Sequence, residues 1–303
     1  MPTERKQFLQ SVRSQFLGTR MRELREERGL TLKYIAAYLG VEFSTLARYE
    51  RAEWPFRRDH VVALLDVYGV YDDAERTALV ELSQRAWRIN QWVPAASLQE
   101  QRSGDDEMAI DDWWLIQRAE ELWIYANLTV PEPVQSRDYA NALITHTVEQ
   151  PALVDKSIRQ LLERQQAFQN KVDNKPPTRL EILIEEPVLH RPIGGRLVLQ
   201  QQLQHLTRLV ELPHINVRVI PDRIGWHPGL NGAFTLCKMQ RPYPPVALVH
   251  HLDGRLLIEA DGAKRYEKTF EKVQEVALSP TESAALIDTL AHTEPASGSP
   301  RTA

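Results

Sequence analysis

Apolar positions in residues 31–51 follow a helical period that breaks once. Leu32, Ile35, Ala36 and Leu39 form one apolar face, and Leu46 and Tyr49 form another. Gly40 stands between them, where a left-handed residue can end one helix and re-aim the chain. The pattern predicts two short helices at a steep angle, a helix-turn-helix. Ala36 is small where they would meet, and Leu46 would plug the core from the second helix. An ordinary helical hairpin that only packs is the alternative reading of the same spacing. Upstream, Phe16, Leu17, Met21 and Leu24 make a helical stripe that stops at Arg28-Gly29. Downstream, Val61, Val62, Leu64, Leu65 and Tyr68 predict a fourth helix, and Leu79, Leu82 and Trp87 a fifth. Five short helices over residues 16–90 can bury one small core, giving a mainly α N-terminal domain.

Residues 1–15 are polar and read as a frayed N-terminal extension or a first half-helix, and residues 91–107 lose periodicity and read as a linker. A second domain then spans 108–292. Its pattern predicts a helix over about 109–125 carrying Trp113, Trp114, Ile116, Leu122 and Trp123, then helices within 130–150 and 151–172. Leu180, Ile182 and Ile184 alternate as a strand does. A helix at 195–211, strands at 215–220, 232–239, 245–250 and 255–260, and helices at 262–276 and 280–292 complete it. This order makes an α+β domain with a mixed sheet flanked by helices. By composition residues 293–303 read as a disordered tail.

A length of 303 residues suits two domains, and 43% hydrophobic with 26% charged residues is the composition of a soluble protein. No apolar run is long enough to span a membrane, and the N-terminus lacks the apolar core of a signal peptide. Cys237 is the single cysteine, which excludes an intramolecular disulfide and a cysteine-based zinc site. The expected compartment is the cytoplasm. A net charge of −4 argues against a protein that coats nucleic acid indiscriminately. The charge is divided unevenly: residues 1–70 carry +3 and residues 91–303 carry −6. That asymmetry points to double-stranded DNA binding by the first domain only. Phosphate neutralisation by one copy is modest, so a homodimer reading two half-sites is expected.

The first domain resembles the XRE, or lambda-repressor-like, regulators. The matching text is Leu17-Gly18, Met21-Arg22, Leu24-Arg25, Gly29-Leu30-Thr31, Ile35-Ala36, Gly40-Val41, Ser44-Thr45-Leu46 and Arg48-Tyr49-Glu50. The resemblance implies that the second helix of the motif enters the major groove with its N-terminal half. Carried over residue by residue, it implies DNA contacts from Thr31, Lys33, Phe43, Ser44, Thr45, Ala47, Arg48 and Arg51. Ser44 would meet a base edge or a phosphate, and Arg48 a guanine or the backbone. Phe43 would either press on a thymine methyl group or pack within the domain. Thr31 would be both an N-cap and a phosphate neighbour. Arg25 and Glu50 are implied to form an internal ion pair that braces the reading helix. The chain departs from the pattern at Leu32, usually a phosphate-binding Gln, and at Ala52, often Gly.

The second domain resembles one that follows the same motif in many actinobacterial regulators, a family labelled as of unknown function. The resemblance rests on Val130-Pro131, Val134-Gln135-Ser136, Tyr139-Ala140, Leu189-His190-Arg191-Pro192-Ile193-Gly194-Gly195, Gln202-Leu203 and Leu206. It continues through Val219-Ile220-Pro221, Gly225, His227, Gly232-Ala233-Phe234-Thr235-Leu236 and Ala277-Leu278-Ser279-Pro280-Thr281-Glu282-Ser283. The departure is Pro131-Glu132-Pro133-Val134-Gln135-Ser136, where the family has Pro-Gly-Leu-Leu-Gln-Thr.

Candidate chemistry in this domain is sparse. Glu185-Glu186 would point to opposite faces of a strand and reads as a solvated edge. His250-His251 with Asp253 diverges in the same way, so no metal site is expected. No nucleophile–histidine pairing stands out; no catalytic residues, no cofactor and no enzyme activity are expected. The glycine-rich stretch 225–232 follows a strand end, where α/β sheets place ligands, and Trp226, His227 and Asn231 form a candidate ligand loop. A hairpin-like connection is the competing reading of that loop. Two functions follow. One is a DNA-binding transcriptional regulator whose second domain senses a small-molecule effector or binds a partner. The other is an antitoxin-like interaction module that neutralises a small partner protein, with DNA binding for autoregulation.

Overall fold

The computed structural model describes residues 10–95, 112–147, 151–169 and 177–293, with positions 8 and 110. The expected tail from 294 onward and the stretch 96–107 of the expected linker lie outside the described residues.

Five helices come first: α1 (Val12–Glu27), α2 (Leu32–Leu39), α3 (Phe43–Glu50), α4 (Arg58–Tyr68) and α5 (Asp73–Arg85). Their ends follow local chemistry. Ser11, Thr31 and Asp72 each accept a backbone N–H in the first turn of α1, α2 and α5, and Gly40 and Gly69 take left-handed conformations after α2 and α4. The core is the expected stripe set, including Leu17, Met21, Leu24, Ile35, Ala36, Leu46, Tyr49, Leu64, Leu65 and Leu79. Two boundaries differ from expectation. The first helix begins at Val12, and Val12, Ser14 and Gln15 are buried rather than part of a polar extension. Trp87 lies beyond α5 and is exposed.

The second part is built on one seven-stranded sheet in the order β1-β7-β6-β5-β2-β3-β4. The strands are β1 (Gln91–Pro94), β2 (Ala119–Ala126), β3 (Arg179–Glu185), β4 (Ile215–Ile220), β5 (Phe234–Met239), β6 (Val246–His251) and β7 (Gly254–Ile258). β2, β3 and β4 run parallel, and the remaining pairings are antiparallel. The helices are α6 (Asp112–Ile116), α7 (Arg137–Thr147), α8 (Pro151–Gln169), α9 (Arg196–Leu209), α10 (Asp261–Val276) and α11 (Pro280–His292). Alternate strand residues face opposite layers. Leu122, Ile124, Leu180, Ile182 and Ile184 join α9 and α11 in the larger core, while Tyr125 and Leu183 meet Phe270 and Val273 of α10. This is the expected combination of a helical first domain with a mixed-sheet α+β second domain.

Two segments correct the sequence reading. Residues 91–94 are not linker but an edge strand, antiparallel to β7. Four residues paired with a strand some 160 positions later leave no local periodicity to read. The helix expected over 109–125 is instead the short α6 followed by β2. β2 lies between β3 and β5 with helices on both faces, so from Leu122 to Ala126 its side chains are apolar without a break and mimic a buried helix. Trp123 there stacks on Phe270, ring centroids 5.0 Å apart.

The two parts meet along an ordered seam. The carboxylate of Glu259, at the end of β7, accepts the Val12 N–H at 2.6 Å and the Asn90 N–H at 2.9 Å. Asn90 returns a bond, its Oδ1 accepting the Glu259 N–H at 2.8 Å. Phe16 of α1 packs on Trp114 of α6 at 5.2 Å, and the Arg118 guanidinium covers the same indole at 4.1 Å. The chain re-enters at Asp112, whose carboxylate bonds His250 at 2.7 Å and pairs with the buried Arg255. Among the described residues no helix is long and apolar enough to cross a membrane.

Candidate nucleic-acid interface

Helix α3, the expected reading helix, is positioned from its inner side. Leu46 and Tyr49 are buried in the helical core, and Glu50 joins them with a buried carboxylate. Arg25 of α1 forks onto that carboxylate, Nε to Oε1 at 2.6 Å and a terminal nitrogen to Oε2 at 2.9 Å. The hydrogen bond it donates to Glu50 holds Arg25 more firmly charged than usual, against the opposing effect of burial. The same guanidinium bonds the Leu30 carbonyl at 2.8 Å, so α1, the turn before α2, and α3 share one anchor. At the other end of α2, Gly40 and Val41 return their N–H groups to the last carbonyls of the helix.

What remains faces outward. Phe43 is 62% exposed, and Ser44 and Arg48 lie on the same arc, one helical turn apart. The structure therefore places Phe43 on the surface instead of in the domain core. Thr45 and Ala47 are half-buried flanks of the arc, Lys33 is exposed near the start of α2, and Arg51 is exposed just past α3. Thr31 spends its hydroxyl oxygen on the Tyr34 N–H at 3.2 Å. Leu32, in place of the usual Gln, turns partly into the core, so that position offers packing where the pattern offers a phosphate contact.

Three aromatics on this side escaped the sequence reading. Tyr34 and Tyr38 are exposed on α2, and Trp54 lies under the Arg48 guanidinium at 4.8 Å. Large exposed aromatics on a small domain are candidates for an interaction surface. Tyr34 and Tyr38 are four apart and fall on the polar side of the α2 stripe, a signal present in the sequence. Trp54 belongs to the turn after α3, and only the fold brings it under Arg48. Glu53 stands 3.9 Å from Arg48 and 2.7 Å from Arg51, so two of the basic groups share a local carboxylate before any partner arrives.

The candidate ligand loop behaves differently. Trp226 is 78% exposed and Asn231 is also exposed, with its amide bonded to the Pro228 carbonyl at 3.3 Å. His227 is 3% exposed and turns inward. Its Nδ1 accepts the Gly229 N–H at 3.2 Å, and its Nε2 lies 2.9 Å from Glu185 Oε1. Tyr125 donates its hydroxyl to the same oxygen at 2.6 Å. Burial, reinforced by the Glu185 contact, pushes that phenol well above its ordinary pKa. Glu185 is thus not on a solvated edge but inside a Tyr125–Glu185–His227 network at the carboxyl ends of β2 and β3. Gly229 fits against the Tyr125 ring, where an added Cβ would stand 2.7 Å from the ring carbon bearing the hydroxyl. The three loop residues do not converge: one pins the loop and two face solvent. Beside the network, Glu186, Pro187, His190, Arg191 and Asp222 line an open cleft of about 400 Å³.

Residues 17–79 match the family model of a helix-turn-helix domain. Residues 114–289 match the model of a domain of unknown function, DUF5753. No curated protein and no solved structure matches the chain.

Proposed function

The chain belongs to the DUF5753 family and carries a helix-turn-helix domain ahead of it, and from that premise we propose a sequence-specific double-stranded-DNA-binding transcriptional regulator of the XRE, lambda-repressor-like type. The observation that carries this reading is the division of α3 into two sides. Leu46, Tyr49 and the Arg25–Glu50 pair hold one side, and Phe43, Ser44 and Arg48 are exposed on the other. A helix held from behind with a polar and aromatic face outward is arranged for groove insertion. In this reading two copies act on a pseudo-palindrome with half-sites about 10 bp apart or a multiple of that. The second domain serves as the sensing or partner-binding unit of an actinobacterial-type regulator working in the cytoplasm. We assign it no catalytic role, since both ring nitrogens of His227 are engaged within the protein.

The test is a footprint on the DNA upstream of the protein's own gene. Arg48→Ala and Ser44→Ala should each weaken protection, Arg48→Ala by about 1–3 kcal/mol if it reads a base bidentately, with thermal unfolding unchanged. Wild-type protection retained by both variants would remove the groove assignment.

A further inference from the structure

The seam between the two domains runs past the end of the reading helix. Tyr243 lies in the 240–245 turn between β5 and β6 and donates its hydroxyl to the carbonyl of Arg51, the residue that closes α3, at 3.1 Å. The Glu259 bonds to Val12 and Asn90 and the Phe16–Trp114 ring contact hold the same seam elsewhere. Three separate attachments fix an orientation, so the turn stays beside α3 as long as they hold.

Charge gathers at this corner. Tyr243 lies near Arg22, Arg51 and Arg118, with Glu53 among them. Three of these cations are already engaged: Arg22 with Glu26 at 2.8 Å, Arg51 with Glu53 at 2.7 Å, and Arg118 on the Trp114 ring at 4.1 Å. Arg241, two residues before Tyr243, is exposed and has no ion pair or hydrogen bond among the described residues. Two residues of chain separate its Cα from that of Tyr243 by at most about 8 Å.

Groove geometry gives that position a meaning. A helix about 10–12 Å across nearly fills a major groove about 12 Å wide. With its N-terminal half in the groove, the C-terminal end of the reading helix and whatever flanks it stand at the groove's rim, beside a sugar–phosphate backbone. We propose that the 240–245 turn of the second domain is part of the DNA interface, with Arg241 contacting a backbone phosphate beside Arg51. DNA is then held by both domains as one unit, and not by the basic first domain alone as the charge asymmetry suggests. The inference rests on the DNA-binding reading above.

The experiment uses the full chain and a random-sequence duplex of about 30 bp, because a phosphate contact does not depend on sequence. Fluorescence anisotropy over a salt series gives the slope of log K against log salt. Arg241→Ala should reduce the magnitude of that slope by about 0.9, the loss of one phosphate. Arg241→Lys should restore most of it, and Arg265→Ala, which removes an exposed arginine from α10, should leave it unchanged. A wild-type slope in Arg241→Ala, or an equal loss in Arg265→Ala, overturns the contact while leaving DNA binding intact. Absence of salt-dependent binding by the wild-type chain overturns the DNA-binding reading and this inference with it.

Discussion

Arg25 and Glu50 illustrate how a polar residue in a small core acts mainly on position. Both side chains are almost fully buried, at 7% and 5% exposure, and each satisfies the other. Removing one leaves a charge stranded, so Glu50→Ala should cost about 3–5 kcal/mol in urea unfolding. Exchanging both for apolar residues of similar volume should cost far less, which separates orientation from stability. Ala52 presents a finer balance. It is buried and takes φ +52°, at a position where the resemblance implies Gly. The left-handed conformation costs about 1–2 kcal/mol. Glycine would return about 0.4–1 kcal/mol of that to the unfolded chain and lose a buried methyl worth about 0.8 kcal/mol. Ala52→Gly is therefore expected to shift stability by less than about 1 kcal/mol in either direction, measured by the same unfolding. A shift well beyond that would show that the turn after α3 is under strain.

At the scale of elements, the approach of α1 to α3 sets where the reading helix sits. Gly18 makes it close: a Cβ there would stand 2.6 Å from the Glu50 carbonyl oxygen and 2.9 Å from that of Tyr49. Both atoms are backbone at the end of α3 and cannot step aside as a side chain can. Gly18→Ala should destabilise by about 1–3 kcal/mol, as overpacking does. It should also weaken duplex binding in conditions where the variant is fully folded. Unchanged melting and binding would mean that the two helices part without consequence. The Tyr125–Glu185–His227 network does the comparable work in the second domain, anchoring the 225–232 stretch across the ends of β2 and β3.

For the whole molecule the seam is the deciding feature, and Glu259 is its titratable part. Burial pushes its carboxyl above the ordinary value, and the Val12 and Asn90 N–H groups and nearby Arg13 oppose that without cancelling it. An acid whose folded pKa is raised contributes its full stability below the unfolded value, about 4.3, and loses it as pH rises through the folded value. The stability difference between wild type and Glu259→Gln should therefore shrink as pH rises from about 4 to about 7, followed by chemical denaturation at each pH. A difference that grows with pH would show that the carboxylate is stabilised in its charged form. Residues 1–92 alone keep α1–α5 but lose Glu259, Trp114 and Tyr243. Amide exchange at Val12 and Asn90 should be faster in that fragment than in the full chain, and equal protection would mean that the seam contributes nothing to them.

Much of this was legible in the residues themselves. The five helices, the Gly40 turn and the outward arc of α3 come from local patterning, because each helix repeats its apolar face every turn and each cap needs only its neighbours. Strands β3 to β7 and the closing helices were legible for the same reason. Only the tertiary structure decided that residues 91–94 form a strand and that residues 119–126 are one as well. The first is held by a partner far along the chain, and the second is covered on both faces, which erases the alternation that marks a strand. The inward turn of His227, the burial of Glu185, the shelf of Trp54 under Arg48 and the seam at Glu259 and Tyr243 were likewise settled by contacts between distant segments. Periodicity reports which face of an element is buried; it carries no record of which distant residue will cover it.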